Sequence, residues 1–365
     1  MAPDYPMVVG APQPAGSGAA LAIHGLIVAF FQGKALPLLC FLFGYSLCAV
    51  GFKARATGLD VKNALRTRNQ KLLVVGVLHG GLVYFGDILT TYALCGLLMG
   101  RYALSRPKKI LKVWTWLTVA LIFSGVAVSV IGAVMLFTRE AQTTTDASNS
   151  VTTKLFLITD AKEFWSLNLR SYLYAQLGTL FVLPMFLWLT IAGMLACRFR
   201  LFSNRRFSRQ FWAKHIGSSQ FTMACAANLV FGITSVYLHS VGAVSYDKLS
   251  GIVALAVVPS VWLTACVVGL LMRRWHKQSF VPKWILWLSP AGRHTLIMYL
   301  LLSLVLLLSS SVFLGLNGST LVRVCVVLGT WMLVTLVARV ATERGWRDPV
   351  ARWLSAVTLS TKQHA

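Results

Sequence analysis

The chain has 365 residues, 57% of them hydrophobic and 12% charged, and its mean hydropathy is +0.70. That is far more apolar than a water-soluble domain of this length, so the composition excludes one and predicts an all-α integral membrane protein. A formal charge of +24 would suggest nucleic acid in a soluble chain, but the Lys and Arg residues cluster between apolar stretches, where they mark topology and contact anionic lipid head groups; no nucleic-acid partner is expected.

Residues 1–18 are rich in Pro, Gly and Ala and carry a single charge, Asp4, so no regular structure is assigned to them. They have no basic n-region, which argues against a signal peptide. Ala19–Phe31 is apolar but shorter than the roughly twenty residues a perpendicular span needs. It reads as an interfacial or re-entrant helix, with a short tenth span as the competing assignment.

From Leu36 onward nine spans are predicted, near 36–52, 72–85, 88–104, 113–137, 172–197, 215–238, 249–272, 291–314 and 320–341. The chain thus divides into an N-terminal region (1–34), a polytopic membrane bundle (35–341) and a basic tail (342–365). The second and third spans are joined tightly through Gly86 and Asp87.

Lys53, Arg55, Lys62, Arg66, Arg68 and Lys71 follow the first span, and Arg101, Arg106, Lys108, Lys109 and Lys112 follow the third. Basic loops return at Arg198 to Lys214 and at Arg273 to Lys283. The loop at 138–170 is Thr-rich and charge-balanced by Glu140, Asp146, Asp160 and Glu163, and the connections at 239–248 and 315–319 are nearly uncharged. Positive residues in short loops are retained in the cytoplasm, so one orientation fits every loop: basic loops and C-terminus inside, sparse loops outside.

The seven cysteines lie mostly in apolar runs with no CxxC pair, so they read as soft core residues rather than a disulfide set, and no metal site is expected.

Within the stretch from Lys71 to Leu104, His79 falls near the middle of one predicted span and Asp87 at the turn into the next. An ionisable group at bilayer depth is costly and marks a candidate functional site. For His79 the alternatives are an interhelical hydrogen bond or a role in proton handling or substrate contact. For Asp87 they are helix capping, or a place beside Thr91 in an outward cavity with His79. Gly76 and Gly80 form one GxxxG pair and Gly96 and Gly100 another, expected to let the two helices approach closely.

Ser289 and Pro290 suit the N-cap and first position of a later helix, which would put Arg293 and His294 in its first turn. A cation there is disfavoured by the helix dipole and invites an anionic partner, either lipid phosphate or the phosphate of an acyl donor. Pro184 and Pro259 are expected to kink their spans, and Gln176 and Asn228 to form interhelical hydrogen bonds. No role is assigned to His24 or His239.

FLFGYSL at 41–47, VLHGGLVYFGDILTTYALCGLL at 77–98 and AGRHTLIMYLLLS at 291–303 resemble the YeiB-like family of bacterial inner-membrane proteins, whose shared domain has no assigned function. The resemblance covers most of the chain, from about residue 33 to 359. That family in turn is similar to transmembrane acyltransferases of the heparan glucosaminide acetyltransferase type, which move an acyl group from a cytoplasmic donor to an acceptor on the far side.

The family pattern falls on Gly33, Lys34, Phe43, Gly44, His79, Gly86, Asp87, Tyr92, Gly292, Arg293 and Tyr299. It departs at Met298, Leu302 and Asp348 to Ala351. Family members open on a further span with an Arg-Gly signature, expected here upstream of Met1 or lost. What the resemblance implies is an acyltransferase-like protein acting on an envelope glycan or lipid, with an acyl-CoA-type donor and no other cofactor. His79 and Asp87 would be catalytic, and Arg293, Lys34, Tyr92 and Tyr299 would contact donor or acceptor. Gly76, Gly80, Gly86, Gly96 and Gly100 would serve helix packing. The rival expectation is a transporter of protons or a small solute, or a non-catalytic membrane component.

Overall fold

The computed structural model describes residues 25–26, 29–30, 34–138, 155, 158–202, 204–240, 257–277, 283–309, 320–346 and 348–355. Every regular element among them is helical. In chain order these are α1 (Ala35–Ala56), α2 (Val61–Leu82), α3 (Leu89–Met99), α4 (Pro107–Thr138), α5 (Ala161–Arg198), α6 (Arg205–His215), α7 (Ser218–Ser240), α8 (Val257–Lys277), α9 (Lys283–Arg293), α10 (Thr295–Leu308), α11 (Thr320–Glu343) and α12 (Pro349–Ser355). The expected interfacial segment Ala19–Phe31, the Thr-rich centre of the 138–170 loop, His24 and the side chain of His239 lie wholly or largely outside the described residues.

Helix α1 is one apolar run. Lys53 and Arg55 in its last turn complement the dipole. It closes in a Schellman motif: Gly58, at φ +73°, donates to the Arg55 carbonyl while Leu59 donates to that of Ala54. Asp60 then caps α2, its carboxylate accepting from the Lys62 N–H at 3.0 Å.

The most extensive packing is between α1 and α5. Two glycines permit it: a Cβ on Gly44 would collide with the Thr190 carbonyl, and one on Gly193 with that of Phe41. Backbone contact this close is what small residues allow between membrane helices. Around it lies the main core, with Cys40, Leu47, Cys48, Ala93, Cys95, Ile191 and Met194.

The structure redraws several expected boundaries. Helix α2 starts eleven residues before the predicted span, because Asp60 caps the basic segment. Helix α3 has 11 residues, about 16 Å at 1.5 Å per residue, and runs on into a 3-10 turn at Gly100–Tyr102. The tight Gly86–Asp87 turn is instead the longer connection Val83 to Ile88.

Helix α5 begins at Ala161 rather than 172, since Asp160 caps it by accepting from the Glu163 N–H at 2.8 Å. It bends by 67° between Leu180 and Val182; the ring of Pro184 clashes with the carbonyl four residues back, that of Leu180. The kink expected at Pro259 falls at the edge of the described residues, which resume at Val257; its carbonyl accepts from Asn228 of α7 at 2.8 Å. The basic loop at 205–214 is itself helix α6, capped by Asn204, with Trp212 and Ile216 packed where a side chain on Gly269 of α8 would be.

One helix, Ala35–Ala56, is long and apolar enough alone to cross a membrane. Three bent pairs pass the same test together: the halves of α5, α6 with α7, and α9 with α10, so up to four such spans occur among the described residues. The outward faces expose large apolar side chains, including Val74, Leu78 and Leu82 on α2, Trp116, Ile122 and Phe123 on α4, and Leu173, Leu177 and Leu180 on α5. Contiguous apolar surface of this kind suits contact with lipid.

Candidate functional site

The site is built where α2 ends and α3 begins. The first turn of α3 lies directly on α2, since a Cβ on Gly76 would come within 2.5 Å of the Thr90 nitrogen. This brings Asp87, just ahead of α3, back onto the last turn of α2. His79 Nδ1 and Asp87 Oδ1 are 2.8 Å apart, and both residues are buried, at 4% and 5% exposure. The second carboxylate oxygen, Oδ2, accepts from the Thr90 N–H at 2.9 Å and from its hydroxyl at 3.0 Å. Asp87 therefore both caps α3 and pairs with His79.

With Asp87 accepting at Nδ1–H, the neutral imidazole carries its lone pair on Nε2. That atom is buried and has no hydrogen-bond partner among the described residues. The geometry holds the ring in one tautomer and presents a bare basic nitrogen. Tyr299 of α10 completes the surround: its ring lies 5.0 Å from the His79 ring, and its hydroxyl points at Asp87 Oδ1 from 3.4 Å.

One face of α5 clamps this turn. Asn168 Nδ2 donates to the Gly80 and Gly81 carbonyls at 3.0 and 2.8 Å, and its Oδ1 accepts from the Phe85 N–H at 2.8 Å. Trp165 donates its indole N–H to the Leu82 carbonyl at 3.0 Å. One turn further along, the Tyr172 hydroxyl lies 2.9 Å from Thr90 Oγ1. These carbonyls belong to the end of a helix, where backbone acceptors lack intrahelical partners.

None of Trp165, Asn168, Tyr172 or Thr90 stood out in the sequence. The signal was the spacing of Trp165, Asn168 and Tyr172 on one helical face, but residues 138–170 read as loop and the predicted span began only at 172. Thr90, not Thr91, is the partner of Asp87.

The other expected site residues lie apart from this group. Tyr92 faces the core, stacked on Phe43 at 5.4 Å. Lys34 precedes α1 and donates from Nζ to Ser260 Oγ of α8 at 2.9 Å. Arg293 corrects an expectation: it sits exposed in the last turn of α9, where the dipole favours a cation, and not in a first turn. The break falls one residue later, at His294 (φ −111°, ψ 25°), so Ser289 and Pro290 lie inside α9 rather than capping a new helix.

The glycines divide likewise. Gly76 admits α3, while Gly80 admits the Tyr172 ring of α5, so this GxxxG pair serves two different neighbours. Gly96 admits the buried Asn69 side chain, Gly86 lies against Tyr84, and Gly100 has room for a methyl, with Leu65 at 3.7 Å. Of the expected interhelical amides, Asn228 makes its bond, and Gln176 Oε1 is buried without a partner among the described residues.

No group of three or more His, Cys, Asp and Glu side chains that could hold a metal occurs among the described residues. A cavity of about 380 Å³ opens between α9 and α11, lined by Leu286, Trp287, Pro290, Arg339, Thr342 and Glu343. It is separate from the His79 pair.

No family model matches the chain, and no solved structure matches it. Over 108 residues it is 32% identical to the "Uncharacterized protein YxaH" of Bacillus subtilis (strain 168), a stretch covering 30% of this chain and 26% of that one. The chain thus spans about a quarter of the length of the relative it matches. The relative's name records no activity, so the functional reading rests on the geometry.

Proposed function

We propose that this is a YeiB-like, polytopic bacterial inner-membrane protein of about nine spans with its C-terminus in the cytoplasm, acting as an acyltransferase. It would move an acyl group from a cytoplasmic acyl-CoA-type donor to a hydroxyl or amine of an envelope glycan or lipid. The observation that carries this reading is the buried His79 ring, oriented through Nδ1 by Asp87 and without a partner at Nε2 among the described residues. General base catalysis needs a nitrogen within hydrogen-bond reach of the nucleophile's proton, in a fixed tautomer.

In the reaction, His79 Nε2 takes the proton of the acceptor as its oxygen or nitrogen bonds to the acyl carbon. The donor's C–S bond breaks, and the proton returns to the departing thiolate. Asp87 holds the ring and stabilises the imidazolium. Arg293, exposed at the end of α9, is the residue for donor phosphate.

The test is transfer of radiolabelled acetyl from acetyl-CoA to a bacterial membrane lipid and glycan extract by the purified protein in nanodiscs. Transfer by the wild type and its loss in His79→Gln are expected. Wild-type transfer that His79→Gln leaves intact overturns the assignment.

One observation favours a second reading. Thr90 and Tyr172 extend the pair into the run His79, Asp87, Thr90, Tyr172, with successive polar atoms 2.8 to 3.0 Å apart. Such a run also suits proton movement in a transporter. Proton flux in proteoliposomes lacking any acyl donor, abolished by His79→Gln, would replace the acyltransferase reading.

A further inference from the structure

A second pair of reactive groups lies where α1 and α8 meet, apart from the His79 pair. Ser260, in the first described turn of α8, is 1% exposed. Its Oγ lies 2.9 Å from Nζ of Lys34, the residue on which α1 starts. Both are held by bonds other than the one between them. The Thr264 hydroxyl donates to the Lys34 carbonyl at 3.2 Å. Asn228 Nδ2 donates to the carbonyl of Pro259, next to Ser260, at 2.8 Å, and is anchored by a second bond to the Ala224 carbonyl at 2.7 Å. The two reacting atoms are therefore set at hydrogen-bond distance by a scaffold built from three helices.

We propose that Ser260 is a nucleophile with Lys34 as its general base, forming an acyl-serine from an activated ester or thioester. A serine hydroxyl is a weak nucleophile alone and needs an adjacent base to take its proton as it attacks; a lysine amine serves in Ser-Lys variants of the hydrolytic triad. Lysine qualifies only when neutral, and burial lowers the Lys34 amine from its usual 10.5 to about 8. The groups of α8 that face Lys34 through these bonds, the Ser260 and Thr264 hydroxyls, do not titrate in that range. Lys34 is less buried than Ser260.

The step balances without another reactant. Ser260 Oγ bonds to the acyl carbon while its proton passes to Lys34 Nζ. The donor's C–S or C–O bond breaks, and the departing thiolate or alkoxide takes the proton from the Lys34 ammonium. Water, or an acceptor hydroxyl or amine, then releases the acyl group by the same exchange, restoring the serine. The inference is independent of the role given to His79.

The experiment treats the purified full-length protein in detergent with a biotinylated alkyl fluorophosphonate, which transfers its phosphorus to an activated serine with loss of fluoride. The modified residue is found by peptide mass spectrometry. Expected are labelling of Ser260, its absence in Ser260→Ala, and a labelling rate that rises with pH about a midpoint near 8. Lys34→Met should slow labelling by about 100-fold or more, with its thermal transition reported alongside. If Lys34→Met does not fold, Lys34→Arg, which keeps a donor but has no usable lone pair, should show the same loss. Absence of label on Ser260 in folded protein at about pH 9, or labelling that either lysine variant leaves unchanged, overturns the proposal. In that case the bond is only a tie between α1 and α8.

Discussion

The ring of Tyr172 occupies the place where a side chain on Gly80 would stand. The aromatic ring of α5 can reach Thr90, and through it Asp87, only because position 80 of α2 is bare. Gly80→Ala should therefore push Tyr172 away, costing about 1–3 kcal/mol as overpacking does. Gly81→Ala is the matched control, since its new Cβ would meet only Leu169 Cδ1 at 3.8 Å. Thermal unfolding of the two variants in detergent should separate them, with Gly80→Ala the lower.

Asn168 has three hydrogen bonds to the backbone between Gly80 and Phe85, and it is fully buried. Asn168→Leu keeps roughly the volume and removes all three, leaving two carbonyls and one N–H unsatisfied. Each such group costs about 1–3 kcal/mol when it stays buried. Part of that is recovered where the end of α2 frays to water. Hydrogen exchange at Val83 to Ile88 should speed up in this variant before any global loss of structure.

These two effects also show what the residues disclosed in advance. His79 and Asp87 were visible because a titratable group inside an apolar run is rare enough to stand out. Their contact was not, because it depends on the length of the Val83 to Ile88 connection and on Gly76 admitting α3.

The α5 clamp was hidden by a hydropathy argument. Residues 161–171 are too polar to extend an apolar span, and the capping pair Asp160 and Glu163 was counted as charge rather than as a helix start. At Arg293 a local rule misled: Ser289-Pro290 is a sound N-terminal signal, but the helix continues through it and breaks at His294. The all-helical class was plain from hydropathy. Helix ends were not, since caps and prolines set them and hydropathy windows do not sense either.

Asp87→Asn tests the pair itself. The amide oxygen at this position can accept both bonds from Thr90 or face His79 Nδ1–H, but the NH2 then turned to the other side is a donor and the carboxylate's charge is gone. The imidazole then loses its fixed tautomer and the partner for its cationic form. On the acyltransferase reading, transfer should fall about 10²–10⁴-fold, with Thr90→Val giving a smaller fall because it removes one of the two bonds to Oδ2. Rates at saturating donor, measured alongside protein yield and thermal transition, separate loss of chemistry from loss of fold.

Lys34 makes stability depend on alkaline pH in a direction that can be worked out. Burial lowers its amine to about 8 in the folded chain against the usual 10.5. Below about pH 8 the lysine is protonated in both states, and folding carries the full cost of burying an ammonium group. Between about 8 and 10.5 the unfolded chain holds a proton that the folded chain has released, so stability rises with pH across that window and levels off above it. Lys34→Met removes the titrating group. The stability of the wild type relative to Lys34→Met should therefore climb from about pH 8 to about pH 10.5, measured by thermal unfolding in the same detergent. A difference that stays flat through the window would mean that the lysine is as well hydrated in the folded protein as in the unfolded chain, and that it is not held neutral against Ser260.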